Sequence, residues 1–430
     1  MRNFVIFGAS GDLAKKKLYP ALWINYQQGC KCRYFGFGRT EFSDESFRKI
    51  VEASVPEADR DFISQFKYFS GTYDERGLTS LAQSLGEKDT IFYFALPTRL
   101  EIIKDLIPGL VENDLVGKES IVVLEKPFGD DYSSAKELID FVDDNLGAGR
   151  TYLIDHYLAK DLVRNLITLR FANPIFENLW SNKFIEKIEI EASESLGIEN
   201  RADYYEKSGA IKDMVQNHAL QVLSLVTMDQ PKTLVSKAFH QEKEKILKKI
   251  RMFNNKFDKN IEIGQYKGYL EEPGVKKDSL TETYVAMTLE IDTPRWRGVK
   301  VKVKTGKKLK NKQTEVIIYF KSYRSCLWAG QCVQLAQNKL VINFYPHGDI
   351  RLSVNTEFNP VENLPKAKDL TFDFSNDVEI AMPYANALKD IYGNDRLYSP
   401  SFEEVLLSWK FIDVVENWLD GRRKNLLKKY

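Results

Sequence analysis

Along the first 150 residues, short apolar runs alternate with longer amphipathic stretches. Phe4–Phe7, Tyr34–Phe37, Thr90–Leu96 and Ser120–Leu124 are strand-like, and the segments between them carry helical spacing. Such alternation predicts a parallel sheet covered by helices. Beyond about residue 150 the rhythm changes. Lys187–Ala192, Val285–Ile291, Val299–Val303, Val316–Phe320, Leu340–Tyr345, Ile350–Val354 and Leu370–Phe374 alternate apolar with polar positions. Successive alternating runs predict a large antiparallel sheet. Lys300, Lys302 and Lys304, set between Val299, Val301 and Val303, read as its wet face. Helical patterns cover Ile211–Met228 and Glu403–Leu419, and the lysine-rich Gln241–Lys259 reads as a surface helix or loop. The expected division is an α/β domain over 1–150 and an α+β domain over 151–430.

Composition narrows the possibilities. The chain of 430 residues suffices for about two or three domains, each with its own core. Lys plus Arg number 62 against 61 for Asp plus Glu. No net field therefore recruits nucleic acid or a membrane surface, and any basic site must be local. No apolar run is long enough for a bilayer, and Met1-Arg2-Asn3 leads straight into a strand, so neither leader nor spanning helix is expected. Cys30, Cys32, Cys326 and Cys332 lack Cys-x-x-Cys spacing, and His residues number only 4. The expectation is a soluble, cytoplasmic protein of a reducing compartment, with no metal.

Candidate chemistry gathers where strands end. Gly8-Ala9-Ser10-Gly11-Asp12-Leu13-Ala14-Lys15-Lys16-Lys17 follows the first strand. Glycines at such a turn let a backbone approach a pyrophosphate seated on the next helix N-terminus, as in Rossmann-type domains. The spacing is Gly-x-x-Gly, so a plain tight turn is the competing reading. The second strand ends in Arg39-Thr40. Arginine there accommodates the 2′-phosphate of NADP, whereas an acid would bind the ribose of NAD; Glu41 blurs the distinction. Leu96-Pro97 and Glu125-Lys126-Pro127-Phe128-Gly129 follow later strands, where such sheets bind ligands. Lys126 either aims at that cleft or is an ordinary loop lysine.

Asp155-His156-Tyr157-Leu158-Ala159-Lys160 joins the strand-like Thr151–Ile154 to a helical pattern from Asp161 through Phe171. His156 and Lys160, four apart, would stack on one face at the start of a helix and seat a phosphate. Alternatively, Asp155 is an N-cap and the other two are solvated. On the helix from Gly209, Asp213, Asn217 and His218 span an arc of about 140° among apolar neighbours. His218 is either a satisfied core histidine or a catalyst oriented by an acid such as Asp155. Lys307 and Lys312 lie beyond the strand at Val299–Val303 and read on spacing alone as solvated loop lysines.

Taken together, these motifs resemble glucose-6-phosphate dehydrogenase over nearly the whole chain. The resemblance rests on GASGDLAKKKLYP at 8–20, GFGR at 36–39, EKPFG at 125–129 and IDHYLAKD at 154–161. It continues through ESLGIENRADYY at 194–205, SGAIKDMVQNH at 208–218 and KTGKKLKNK at 304–312. Ala159 stands where the family usually has Gly, and Asp161 where it has Glu. The chain is also shorter than most members, and no second, structural NADP site is expected. The resemblance implies oxidation of glucose 6-phosphate at C1 to 6-phosphoglucono-δ-lactone, with NADP as acceptor and NAD as a weaker alternative. This is the first step of the oxidative pentose phosphate pathway. His218 would be the base and Asp155 its orienting partner. His156, Tyr157 and Lys160 would hold the 6-phosphate; Glu194, Asp213, Lys307 and Lys312 would fix the sugar and its phosphate. Lys17 and Lys126 would sit where cofactor and sugar meet. Gly8, Ser10, Gly11, Asp12, Leu13, Arg39, Thr40, Leu96, Pro97 and Lys126 would hold the cofactor. The family also implies a homodimer, or a dimer of dimers, through the antiparallel sheet. Competing readings are an oxidoreductase of the glucose–fructose oxidoreductase type and a catalytically inactive NADP-binding sensor.

Overall fold

The structure, a computed structural model, describes residues 2–86, 89–328, 332–346, 348–361, 364–374 and 382–430. Strands β1 (Arg2–Phe7), β2 (Cys32–Gly38), β3 (Phe66–Ser70), β4 (Thr90–Phe94), β5 (Ile121–Leu124) and β6 (Thr151–Leu153) form one sheet. Its order is β3-β2-β1-β4-β5-β6, and every pairing is parallel. This is the doubly wound order, which reverses between β1 and β4 and leaves a crevice beyond their C-terminal ends. Burial on both faces explains the unbroken apolar runs: Phe4, Val5, Ile6 and Phe7 are all fully buried.

A second sheet is built from β7 (Ile185–Ser193), β8 (Ile250–Met252), β9 (Ile261–Gln265), β10 (Tyr284–Ile291), β11 (Lys300–Gly306) and β12 (Gln313–Phe320). A short ribbon of β13 (Arg324–Ser325) and β14 (Val333–Gln334) stands apart, and β15 (Lys339–Tyr345), β16 (Asp349–Asn359), β17 (Leu364–Asp373) and β18 (Leu427–Lys429) complete the sheet. The order is β17-β16-β15-β12-β7-β11-β10-β9-β18, with β8 beside β10. The expected antiparallel sheet is in fact mixed, because β7 runs parallel to β11 and β9 parallel to β18. Those strands are far apart in sequence, so no hairpin forces them to alternate.

Contacts divide the chain into two compact units. One comprises residues 1–160, 233–240 and 379–406; the other comprises 161–232, 241–378 and 407–430. The core of the first unit includes Tyr384, Leu388 and Ile391 of the helix Met382–Tyr392, packed with Phe4, Tyr34 and Tyr93. The lysine-rich stretch resolves into the helix Ser236–Leu247 followed by β8. Among the described residues, no helix is long and apolar enough to cross a membrane. Cys326 and Cys332 form a disulfide. The reducing-compartment reading gave no reason to pair them; the ribbon register does. Ser325 faces Val333, which sets the next residues, Cys326 and Cys332, opposite one another.

Candidate active site

In the first unit, the turn after β1 is built for close approach. Gly8 has φ +80°, and a Cβ there would lie 2.7 Å from the Ala95 carbonyl oxygen and 2.8 Å from Leu96 Cδ2. A side chain at Gly8 is excluded both sterically and conformationally. The Gly8 N–H donates to the Phe37 carbonyl at 2.9 Å, and the Gly11 N–H to the Gly8 carbonyl at 2.9 Å. This holds the turn against the ends of β2 and β4. Ser10, Gly11, Asp12 and Leu13 follow, with Asp12 paired to Lys16 at 2.9 Å on the surface. Lys17 is half-buried on the first turns of the helix. Arg39 and Thr40 are exposed beyond β2, where Tyr68 Oη donates to the Thr40 carbonyl at 2.7 Å. Leu96 and Pro97 follow β4. The turn therefore combines the glycine cradle and the strand-end position that a dinucleotide pyrophosphate requires.

Beyond β5, Glu125 is buried, accepts from Tyr93 Oη, and has its carbonyl bonded by the Thr98 hydroxyl. Burial pushes its carboxyl up to about 7, against the pull of hydrogen bonds from Tyr93 and Tyr384 and the charge of Lys126. The same Tyr384 lies parallel to the His156 ring at a centroid distance of 6.4 Å. Residues 156–160 are turns and not the expected first turn of a helix, which begins at Asp161. The cause is local. The Asp155 carboxylate accepts the Tyr157 N–H at 2.8 Å, and the Lys160 N–H donates to the Tyr157 carbonyl at 3.2 Å. The first is the bond an N-cap side chain makes to the second residue after it; the second spans three residues, tighter than the α-helical bond, and closes a separate turn ahead of the helix at Asp161. His156 and Lys160 meet through Tyr157 instead: its ring is 5.1 Å from His156 and 4.0 Å from Lys160 Nζ.

In the second unit, the helix Ile211–Ala219 is π-type and continues as the α-helix Leu220–Thr227. The Leu220 N–H reaches back to the Val215 carbonyl, and Asn217 Nδ2 donates to the Lys212 carbonyl at 3.0 Å, both five residues away. With i→i+5 closure, residue i+5 returns over residue i. Asp213 and His218 thus share a face, where α-helical counting separates them widely. Both are buried, at 5% and 1% exposure. The Glu282 carboxylate accepts the Ile211 N–H at 3.1 Å, capping this helix, and its other oxygen binds Arg423. Burial pushes the Glu282 carboxyl up while Arg423 pulls it down.

Lys307 is buried and not the solvated loop lysine that spacing alone suggests. Its Nζ donates to Glu194, lies 4.0 Å from Asp213 Oδ2, and sits 5.2 Å from the Tyr205 ring centroid. Tyr204 Oη donates to Asp213 Oδ1 at 3.1 Å. A buried ammonium between two carboxylates is a donor–acceptor array suited to sugar hydroxyls. Lys312 is exposed, 4.4 Å from the Tyr345 ring centroid. Tyr93, Tyr204, Tyr205, Glu282, Tyr384 and Arg423 were not singled out in the sequence. Glu125 carried a signal, its place in EKPFG; Tyr384 and Arg423 had none, since only the fold brings them in.

The NAD binding domain profile of glucose-6-phosphate dehydrogenase matches residues 5–165, and the C-terminal domain profile of the same enzyme matches residues 167–430. The chain belongs to the glucose-6-phosphate dehydrogenase family. The glucose-6-phosphate 1-dehydrogenase of Chlamydia pneumoniae is 36% identical over 456 residues, covering 96% of this chain and 89% of that protein. That of Bacillus subtilis (strain 168) is 36% identical over 450 residues, covering 96% and 91%. A solved glucose-6-phosphate dehydrogenase in complex with its substrate glucose-6-phosphate superposes with a TM-score of 0.90 at 31% identity, over 100% of this chain and 93% of that one. Membership in the glucose-6-phosphate dehydrogenase family makes this chain a dinucleotide-dependent oxidoreductase and favours neither competing reading.

Proposed function

We propose that the chain oxidises glucose 6-phosphate at C1 to 6-phosphoglucono-δ-lactone and uses NADP as the acceptor. The observation that carries the reading is the face shared by Asp213 and buried His218, with the Lys307–Glu194 pair beside Asp213. The C1–H bond breaks with its electron pair leaving as hydride, while the 1-hydroxyl loses its proton and the C1–O bond becomes a carbonyl. A base must take that proton as the hydride departs, and His218 fills the role with Asp155 as orienting group. Lys307, Glu194 and Asp213 hold sugar hydroxyls, with Lys312 contributing charge. His156, Tyr157 and Lys160 hold the 6-phosphate. Lys17 and Lys126 stand where sugar and cofactor meet. Gly8, Ser10, Gly11, Asp12, Leu13, Leu96 and Pro97 receive the cofactor, with Arg39 and Thr40 at its 2′-phosphate. In this reading residues 1–150 serve the dinucleotide and 151–430 the sugar.

The test is the near-ultraviolet absorbance of reduced cofactor, with glucose 6-phosphate or plain glucose and with NADP or NAD. Formation of NADPH from plain glucose as readily as from glucose 6-phosphate would overturn the assignment. Arg39 gives a finer expectation. Losing a guanidinium that pairs with the 2′-phosphate removes about 1.5–3 kcal/mol of charge-assisted binding. Arg39→Ala therefore raises the KM for NADP tenfold or more (on the order of one to two decades) and leaves that for NAD nearly unchanged. Equal losses for both cofactors would count against the role.

A second copy of the chain is the proposed partner. Among the described residues, strand β17 ends its sheet and exposes Leu370 and Phe372 at 50% and 57%, apolar surface that isolated proteins avoid. Sedimentation velocity reports a dimer or a dimer of dimers; a monomer at assay concentration would refute this. The cytoplasm is the proposed location, since both ligands are polyanions that a bilayer retains; cell fractionation checks it.

A further inference from the structure

The geometry points to Tyr430 as a positioning residue that aims Lys307 into the sugar site. The inference rests on the placement of Lys307 in that site. Tyr430 follows β18, whose pairing with β9 carries it back over the second unit. A Cβ on Gly264 would lie 2.9 Å from Tyr430 Cδ1, so the ring occupies the space that this glycine leaves. Tyr430 Oη lies 2.7 Å from the Lys307 carbonyl oxygen, 3.0 Å from Thr283 Oγ1 and 3.3 Å from the Thr283 carbonyl oxygen.

Donor counting fixes the direction of these bonds. The Tyr266 N–H donates to Thr283 Oγ1 at 2.9 Å. The Thr283 hydroxyl proton is then free to go to Tyr430 Oη, and the single phenolic proton goes to the nearer carbonyl, that of Lys307. Burial pushes the Tyr430 phenol up to about 12, so it remains a donor throughout the neutral range. On its other side, the Lys307 N–H donates to the Thr283 carbonyl at 2.9 Å. Both peptide groups of Lys307 are therefore tied to the Thr283–Tyr430 pair.

This anchoring matters because the neighbouring residue is strained. Lys308 has φ +53°, a left-handed conformation that a lysine does not adopt by preference. Such a turn persists where its surroundings over-determine it. The Tyr430 hydroxyl bonds the carbonyl whose plane that φ angle sets. From the fixed backbone the Lys307 side chain reaches Glu194 and Asp213. Tyr430 touches neither sugar nor cofactor in this scheme and acts through Lys307.

The experiment compares Tyr430→Phe, Lys307→Ala and the double variant in the full chain, measuring kcat and KM for both substrates together with Tm. Tyr430→Phe keeps the ring and removes the hydroxyl. The expected result is a KM for glucose 6-phosphate about three- to tenfold higher, the size of one net hydrogen bond, with the KM for NADP unchanged. In the Lys307→Ala background the same change has no further effect, because the two residues act as one unit. A ring that only packs would lower Tm and leave the KM for the sugar alone. That outcome, or an equal effect with and without Lys307, overturns the inference. If Lys307→Ala itself leaves the KM for glucose 6-phosphate unchanged, the site assignment fails and takes this inference with it. Gly264→Ala is the second probe, should Tyr430→Phe not fold. It displaces the Tyr430 ring without altering either residue and raises the same KM; an unchanged KM in that variant, with the ring displaced, also overturns the role.

Discussion

Replacing His218 by asparagine lowers turnover by about 10²- to 10⁴-fold while glucose 6-phosphate still binds. That range is what a positioned proton acceptor contributes to a reaction of this kind. A neutral imidazole keeps a lone pair on one ring nitrogen and can accept the proton there. Asparagine has comparable bulk and polarity but no site for the proton. It suits a residue that is 1% exposed on a helix whose neighbours Met214, Val215 and Leu220 are also buried. Folding is checked by Tm, and binding by calorimetric titration of glucose 6-phosphate. Asp155→Asn gives a loss in the same direction, because an amide beside the imidazole permits the wrong tautomer. The double variant costs much less than the product of the single effects, since base and orienting group act as a unit. A folded His218→Asn protein with near-normal turnover would end the proposal, and His156 would become the next candidate base.

What the sequence showed and what it hid divide along one line: whether the determinant is local. The turn at Gly8 was legible because strand, glycine and helix are contiguous, and the helix Asp161–Phe171 lies where its apolar spacing predicts. The turns at 156–160 were missed although they too are local. Spacing is blind to the tight bond from the Lys160 N–H to the Tyr157 carbonyl, three residues back, which closes a separate turn ahead of the helix. The shared face of Asp213 and His218 was hidden for a related reason. Periodicity assumes 3.6 residues per turn, and the π-type closure at Ile211–Ala219 breaks that assumption around the proposed base. Strand β3 escaped because Phe66–Ser70 alternates buried with exposed positions on the edge of its sheet and lacks the unbroken apolar run of β1, β4 and β5. Tyr384, Arg423 and Tyr430 had no signal at all. Their partners Glu125, Glu282 and Lys307 lie more than a hundred residues away, and only the closed fold brings them together.

The phosphate seat gives the second large effect, and its sign depends on the substrate. His156 and Lys160 flank the Tyr157 ring in a turn fixed by Asp155, so their spacing is set by packing and not by free rotation. Each offers an N–H donor to a dianionic phosphate, and hydrogen bonds to charged groups are worth about 1.5–3 kcal/mol apiece. Lys160→Ala and His156→Ala should each raise the KM for glucose 6-phosphate by about ten- to a hundredfold. Plain glucose has no phosphate for either group to meet, so its poor use should change by less than about twofold, within the usual scatter of surface substitutions. The comparison of the two substrates removes any general effect of the substitution on folding or on hydride transfer. The Lys160 change also removes a cation from the Tyr157 face, which costs little at a partly solvated site. Removing both groups should cost more than either alone but less than the product, because both answer to one phosphate and one aromatic ring. If glucose and glucose 6-phosphate suffer alike, the stretch from Asp155 to Lys160 supports structure, and the phosphate must be held elsewhere.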